Sequence, residues 1–294
     1  MSTALPHLLA LLAAVLYAVG ALLIKRAGAF GVGVWRTAFV CNVLTALLFL
    51  PLLTWGGTVH FELWWQPVVV ALCFIVGQWF TFLSLEHGDV SVATPVLGLK
   101  ILLVGAFLAV FGVQSLSGKL WFAALLATGG IVLLNRSGSS ATARHHVTRT
   151  IITAGGAATM YALFDVLVRL WSPVWGSGRF LPITFSIAGL LSFAFIPRFS
   201  APLFTLTRPA WPWLLGGALG IASQSLIFVS VVATWRKPAE ANVVFSSRGL
   251  WSILLVWAIG ARLQNQEAHL GSRTLAWRLA GAALMMAAIL LVLI

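Results

Sequence analysis

Two stretches of this 294-residue chain decide its fold: SVATPVLGLKILLVGAFLAVFG, Ser91 to Gly112, and AEANVVFSSRGLWSILLVWAIG, Ala239 to Gly260. They align without a gap, and the one cation of each falls on the other, Lys100 on Arg248. About 20 apolar residues in a row are what a helix needs to cross the hydrocarbon core of a bilayer. Lipid offers nothing to hydrogen-bond an open backbone, so only helices and closed barrels span it. Barrel strands alternate in polarity, and these runs do not. The sequence therefore predicts an all-α integral membrane protein.

The remainder of the chain has the same character. Apolar residues make up 61% even without glycine, against about 45 to 50% with glycine in soluble domains. Charged residues are 8% where about a quarter is usual, and the mean hydropathy of +1.02 leaves no room for a sizeable polar domain. A net charge of +12 would suit nucleic acid if it were gathered on one soluble face. Here the basic residues are scattered among short loops, where they read as topology anchors, and no nucleic-acid partner is expected. Cys41 and Cys73 both fall within spans, which supports neither a disulfide framework nor a metal site. The first apolar run, Leu8 to Ile24, has no basic residue before it and Lys25-Arg26 after it, so it reads as a transmembrane helix rather than a secretory signal.

A window of about 20 residues places spans at 5–25, 33–54, 65–85, 91–112, 117–134, 150–171, 180–199, 211–233, 239–260 and 274–294. That is ten transmembrane helices. The stretch NRSGSSATARHHVTR, Asn135 to Arg149, has linker composition. It separates a first five-helix repeat, 1–134, from a second, 150–294. Beyond Lys100 and Arg248, the chain's two tyrosines match, since Tyr17 and Lys25 have the spacing of Tyr161 and Arg169, and Gln78 meets Gln224. An odd number of helices per half makes the second repeat enter from the opposite side, so the repeats are expected to be inverted.

The stretch HGDVSVATPVLGLKILLVGAFLAVF (87–111), the five-plus-five arrangement, the Lys25-Arg26-Ala27 after helix one and the Arg36 opening helix two resemble the drug/metabolite transporter superfamily, EamA type. The resemblance covers essentially the whole chain. It implies an exporter or exchanger whose central cavity is lined mainly by helices one, three, four, six, eight and nine. It leaves the substrate open among amino acids, sugars, nucleotide sugars, phosphorylated sugars and drugs. In triose-phosphate and nucleotide-sugar relatives, basic residues of the ninth helix contact substrate phosphate, and Arg248 occupies a similar place.

Lys100 and Arg248 each lie about nine residues, or roughly 14 Å, from a helix end. A cation at that depth costs about 2.5 to 3.5 kcal/mol on insertion scales and needs a wet cavity or a counter-ion. Two readings follow: pairing with Asp165 and helix carbonyls, or binding of a substrate carboxylate or phosphate. Asp165, the one acid inside a span, is open to an i, i+4 bridge to Arg169, a coupling-proton role, or a counter-ion role toward a substrate ammonium. With all three charges in the cavity the fixed charge is one positive, which fits a monoanion or zwitterion. Tyr17, Tyr161, Gln78 and Gln224 are expected to orient the substrate and Trp79 and Trp251 to wall it. Pro95 is expected to kink helix four as a gate. The Gly216-x-x-x-Gly220 spacing and the Gly129-Gly130 and Gly155-Gly156 pairs read as helix contacts.

An intramembrane enzyme is not expected, because His60, His87, His145, His146 and His269 lie in loops and His7 at a helix end. No metal cluster, cofactor motif or GxxxxGK[ST] phosphate loop occurs in the sequence. The sequence thus reads as a secondary transporter, exporter or exchanger, of a small polar, amino-acid-like metabolite bearing a carboxylate or phosphate, working by alternating access in the bacterial inner membrane as a monomer or homodimer. A multidrug or other metabolite efflux carrier is the alternative reading, and a channel or structural membrane protein is the alternative from another class.

Overall fold

The computed structural model describes residues 4–86, 93, 96–112, 117–134, 147–259 and 272–293, and among these every regular element is helical. Helix α1, Leu5–Gly28, opens with Pro6 in its first turn, where a missing N–H is harmless. It closes on Lys25 and Arg26, cations suited to the negative end of the helix dipole. Gly33, at φ 75°, turns the chain into α2, Val34–Phe49, which tightens into a 3-10 segment, Leu50–Trp55. A short 3-10 turn, Phe61–Leu63, leads to α3, Trp65–Glu86. Then come α4, Lys100–Val110, and α5, Gly118–Leu134.

After α6, Val147–Trp175, Gly176 at φ 75° turns the chain into α7, Ser177–Leu191. That helix also tightens into a 3-10 segment, Ser192–Arg198, followed by a short 3-10 turn, Leu203–Thr205, and the long α8, Ala210–Trp235. Helices α9, Pro238–Phe245, and α10, Arg248–Ile259, are separated by a turn at Ser246 and Ser247, and α11 is Ser272–Leu293. Positive φ is the reason for glycine at positions 33 and 176, since a Cβ there would be strained.

Six helical segments are long and apolar enough to cross a membrane: Leu5–Gly28, Val34–Trp55, Phe61–Ser84, Thr148–Trp175, Ser177–Arg198 and Ala210–Trp235. The apolar helices Val96–Val110, Gly118–Leu133 and Ala280–Val292 are shorter. Fourth and ninth spans were expected to be continuous, apart from a kink at Pro95, and the structure interrupts both just before their cations. Leu99 N–H reaches only three residues back, to Val96 O at 3.1 Å, and α4 starts at Lys100. Ser247 N–H likewise reaches Val244 O at 3.1 Å, and α10 starts at Arg248. Such i to i−3 bonds are tighter than α-helical geometry and mark a local break. Pro95 lies outside the described residues.

Packing proceeds by close helix pairs: α1 with α8, α3 with α6, α5 with α11, and α2 with α7, while α4 leans on α6 and α10 on α1. Small residues set the first of these. A Cβ on Gly20 would stand 2.9 Å from Gly217 O, and one on Gly220 would stand 2.9 Å from Gly20 Cα. The seam thus uses Gly217 and Gly220; the expected Gly216 meets only Leu23 Cδ1 at 3.5 Å, an ordinary contact. The difference is one of helix phase, which the spacing of glycines does not report. The interior between these pairs holds Ala10, Ala13, Ala14, Phe164, Phe185, Phe228 and Phe245, all buried.

Candidate functional site

Asp165, in the middle of α6, is 1% exposed, and its Oδ2 lies 2.8 Å from the Lys100 ammonium at the start of α4. The same oxygen accepts a hydrogen bond of 2.6 Å from Asn242 Nδ2 of α9, which also donates to Pro238 O at 2.8 Å. The carboxylate therefore joins three helices. Of the two readings for Lys100, the pairing with Asp165 is the one formed. The expected i, i+4 bridge from Asp165 to Arg169 is not formed: Arg169 Nε and Nη1 are buried without a hydrogen-bond partner among the described residues. Helical spacing permits that bridge, but an inward-facing aspartate in a bundle meets the cation of another helix first.

Arg248 is differently placed. Its guanidinium carbon stands 4.8 Å from the Tyr17 ring centroid and 4.7 Å from that of Phe245, within cation–π range. It has no carboxylate partner and no side-chain hydrogen bond among the described residues. Its charge lies close enough to act on both Lys100 and Tyr161. Tyr161, one turn before Asp165, presents its ring 5.9 Å from the Lys100 ammonium. Phe228 lies 5.4 Å from that ammonium and packs on Phe245 with ring centroids 4.6 Å apart; Phe245 in turn meets Tyr17 edge-on at 5.9 Å. Two cations, from α4 and α10, and one carboxylate, from α6, are thus set in an aromatic frame contributed by α1, α6, α8 and α9.

The other expected residues divide. Trp251, half-buried on α10, packs against the same core. Gln224 is buried on α8; its Nε2 donates to Ser225 Oγ at 2.7 Å and its Oε1 has no partner. Gln78 instead forms a reciprocal amide pair with Asn42 of α2, at 2.8 and 2.9 Å. Trp79 joins a second aromatic group, 5.0 Å from Trp35 and 5.8 Å from Phe195, with the Arg198 guanidinium 4.9 Å over its ring. The sequence reading missed Asn42, Asn242, Phe228 and Phe245. The two asparagines did carry a signal, each being a lone carboxamide inside an apolar run. The phenylalanines, in a chain with 19 of them, carried none.

Residues 4–136 match the model of the EamA-like transporter family. A solved crystal structure described only as "Crystal structure of protein" superposes with a TM-score of 0.73 at 19% identity, over 99% of this chain and 96% of that one, which is a likeness of fold. No curated protein matches the sequence. Over residues 4–136 the chain is thus similar to the EamA-like transporter family, and its long apolar helices are those of a multi-pass membrane protein.

Proposed function

We propose that the chain is a secondary transporter, an exporter or exchanger, of a small amino-acid-like metabolite bearing a carboxylate, and that it works by alternating access between two inverted five-helix repeats, residues 1–134 and 150–294, joined by the linker 135–149. Support for the repeats comes from exchange of the halves: it carries the α1–α8 pair onto α6–α3 and the α10–α1 contact onto α4–α6, while α2–α7 and α5–α11 map onto themselves. Gly33 and Gly176, the two 3-10 segments and the two interrupted helices follow the same exchange. The shorter helices α4, α5, α11 and the α9–α10 pair complete ten spans in this reading. Short apolar helices cross a bilayer only when companions shield their ends or the bilayer thins.

The observation that carries the substrate class is the unshared charge of Arg248. Lys100 is neutralised by Asp165 at 2.8 Å, so the cluster keeps one positive charge, on a guanidinium framed by Tyr17 and Phe245. A planar guanidinium with free donors matches a carboxylate or phosphate in bidentate fashion, and a cationic substrate would be repelled. In this reading Tyr17, Tyr161, Gln224 and Trp251 surround the substrate, Asp165 is the counter-ion of Lys100, and Gln78 and Trp79 stiffen the neighbouring helices. The test is ligand-induced stabilisation of the purified protein by amino acids, organic acids and sugar phosphates. A ligand at 100 times its dissociation constant adds about 2.7 kcal/mol. Arg248→Gln should abolish that gain while leaving the ligand-free melting temperature within a few degrees. A wild-type gain in Arg248→Gln would overturn the anion site.

A further inference from the structure

Gln78 and Gln224 occupy matching places in the two halves, yet their amides end differently. The Gln78 amide is closed on both sides by Asn42. Gln224 has no such partner: its Nε2 is taken by the neighbouring Ser225, and its Oε1 is left buried and unpaired. A buried carbonyl oxygen is an acceptor only, so whatever completes it is a donor. The cation Lys100 is already held by Asp165, whose Oδ2 takes both Lys100 and Asn242.

Depth and face put this oxygen at the anion site. On α8, Gly217, Gly220 and Phe228 stand seven and four residues before Gln224 and four after it, which is one helix face. Gly217 and Gly220 meet Gly20 and Leu16 of α1, and Ile24 meets Gly217, so the two helices run antiparallel. Gln224 is four residues past Gly220, about 6 Å along α8, and Tyr17 is three before Gly20, about 4.5 Å along α1 in the same direction. The amide and the ring beneath the Arg248 guanidinium therefore lie at the same depth. Phe228, one turn farther, touches the Phe245 ring that also faces Arg248.

From this we infer that Gln224 Oε1 accepts a hydrogen bond from the ammonium group of a substrate whose carboxylate is held by Arg248, so that the site selects zwitterions over simple carboxylates. The inference rests on the anion-site reading of Arg248 proposed above. A neutral acceptor suits the task, because a free carboxylate there would cancel the charge of Arg248.

The experiment compares matched pairs in proteoliposome counterflow: each of the protein L-amino acids against the acid of the same carbon skeleton without the amino group, such as L-leucine with 4-methylpentanoate and L-phenylalanine with 3-phenylpropanoate. Wild type should prefer the amino acid of its best pair by about ten- to a hundredfold, the worth of one hydrogen bond to a charged group. Gln224→Leu should bring the two members to within about threefold, with the affinity for the deamino acid unchanged. Gln224→Met, of similar length but without a strong acceptor, should lose the preference in the same way. A wild-type ratio in Gln224→Leu would overturn the inference and leave Arg248 untouched. Wild-type counterflow in Arg248→Gln would overturn the anion site itself, and no counterflow of any pair by wild type would overturn both. A misfolded Gln224→Leu leaves Gln224→Met to decide, and a wild-type preference in that variant counts against the inference.

Discussion

Lys100 and Asp165 face each other at 2.8 Å across two helices, at a carboxylate that is 1% exposed. Removing one partner of such a pair leaves the other charge buried without compensation, at a cost of about 3 to 5 kcal/mol. Lys100→Met and Asp165→Leu should each therefore melt well below wild type. Because the penalty belongs to the orphaned charge, Lys100→Met/Asp165→Leu should recover most of the loss. Thermal unfolding of the four proteins in one detergent closes the cycle. Equal destabilisation by the single and double variants would mean that the pair contributes nothing specific.

The helix seams make a sharper prediction, because two adjacent glycines of α8 stand in different surroundings. Gly217 meets Ile24 N and Gly20 O, where a Cβ would stand 2.9 and 3.0 Å away, and backbone cannot step aside as a flexible side chain can. Gly217→Ala should cost about 1 to 3 kcal/mol through overpacking. Gly216→Ala meets only Leu23 Cδ1 at 3.5 Å. Alanine being the better helix former by about 1 kcal/mol, that variant should melt at or slightly above the wild-type temperature.

How far the sequence reading reached is clear from Lys100 and Asp165 together. Lys100 and Arg248 were legible as candidates, because a cation within an apolar run has few cheap explanations. Asp165 was legible as the interior acid for the same reason. Its partner was legible only as one of two candidates, Lys100 from another helix or Arg169 one turn away on its own, and the structure forms the Lys100 pair and adds Asn242 from α9, which the sequence did not offer. Glycine phase failed similarly, since Gly216 and Gly217 differ only in where α1 approaches. Long apolar helices are written in composition; which faces meet is a property of the assembled bundle.

The reciprocal amide pair between Asn42 and Gln78 should act as a structural tie between α2 and α3 rather than as a ligand contact. Two hydrogen bonds shielded from water are worth about 1 to 2 kcal/mol in membrane proteins after the unfolded reference is allowed for. Asn42→Leu and Gln78→Leu should each lower the melting temperature, and the double variant should be no worse than the poorer single, because neither leaves an orphaned amide. Counterflow measured on the same samples should keep the substrate affinity of wild type. A large loss of affinity in Gln78→Leu without loss of stability would move Gln78 into the binding site.

Matching breaks before Lys100 and Arg248 predict matching motion. Leu97 precedes the first break, and Phe245, buried between Tyr17 and Phe228, ends the half-helix before the second. If the two halves rock about the cluster, both positions are reached by water only when the cluster is open to one side. Leu97→Cys and Phe245→Cys, each in a Cys41→Ala/Cys73→Ala background, should be labelled by an impermeant thiol reagent from one side of the membrane in a given state. Saturating substrate should protect both, since it lies against Arg248, whose guanidinium is 4.7 Å from the Phe245 ring. Steady labelling of both positions from both sides at once, indifferent to substrate, would mean a continuous aqueous pore. That outcome would replace the carrier with a channel.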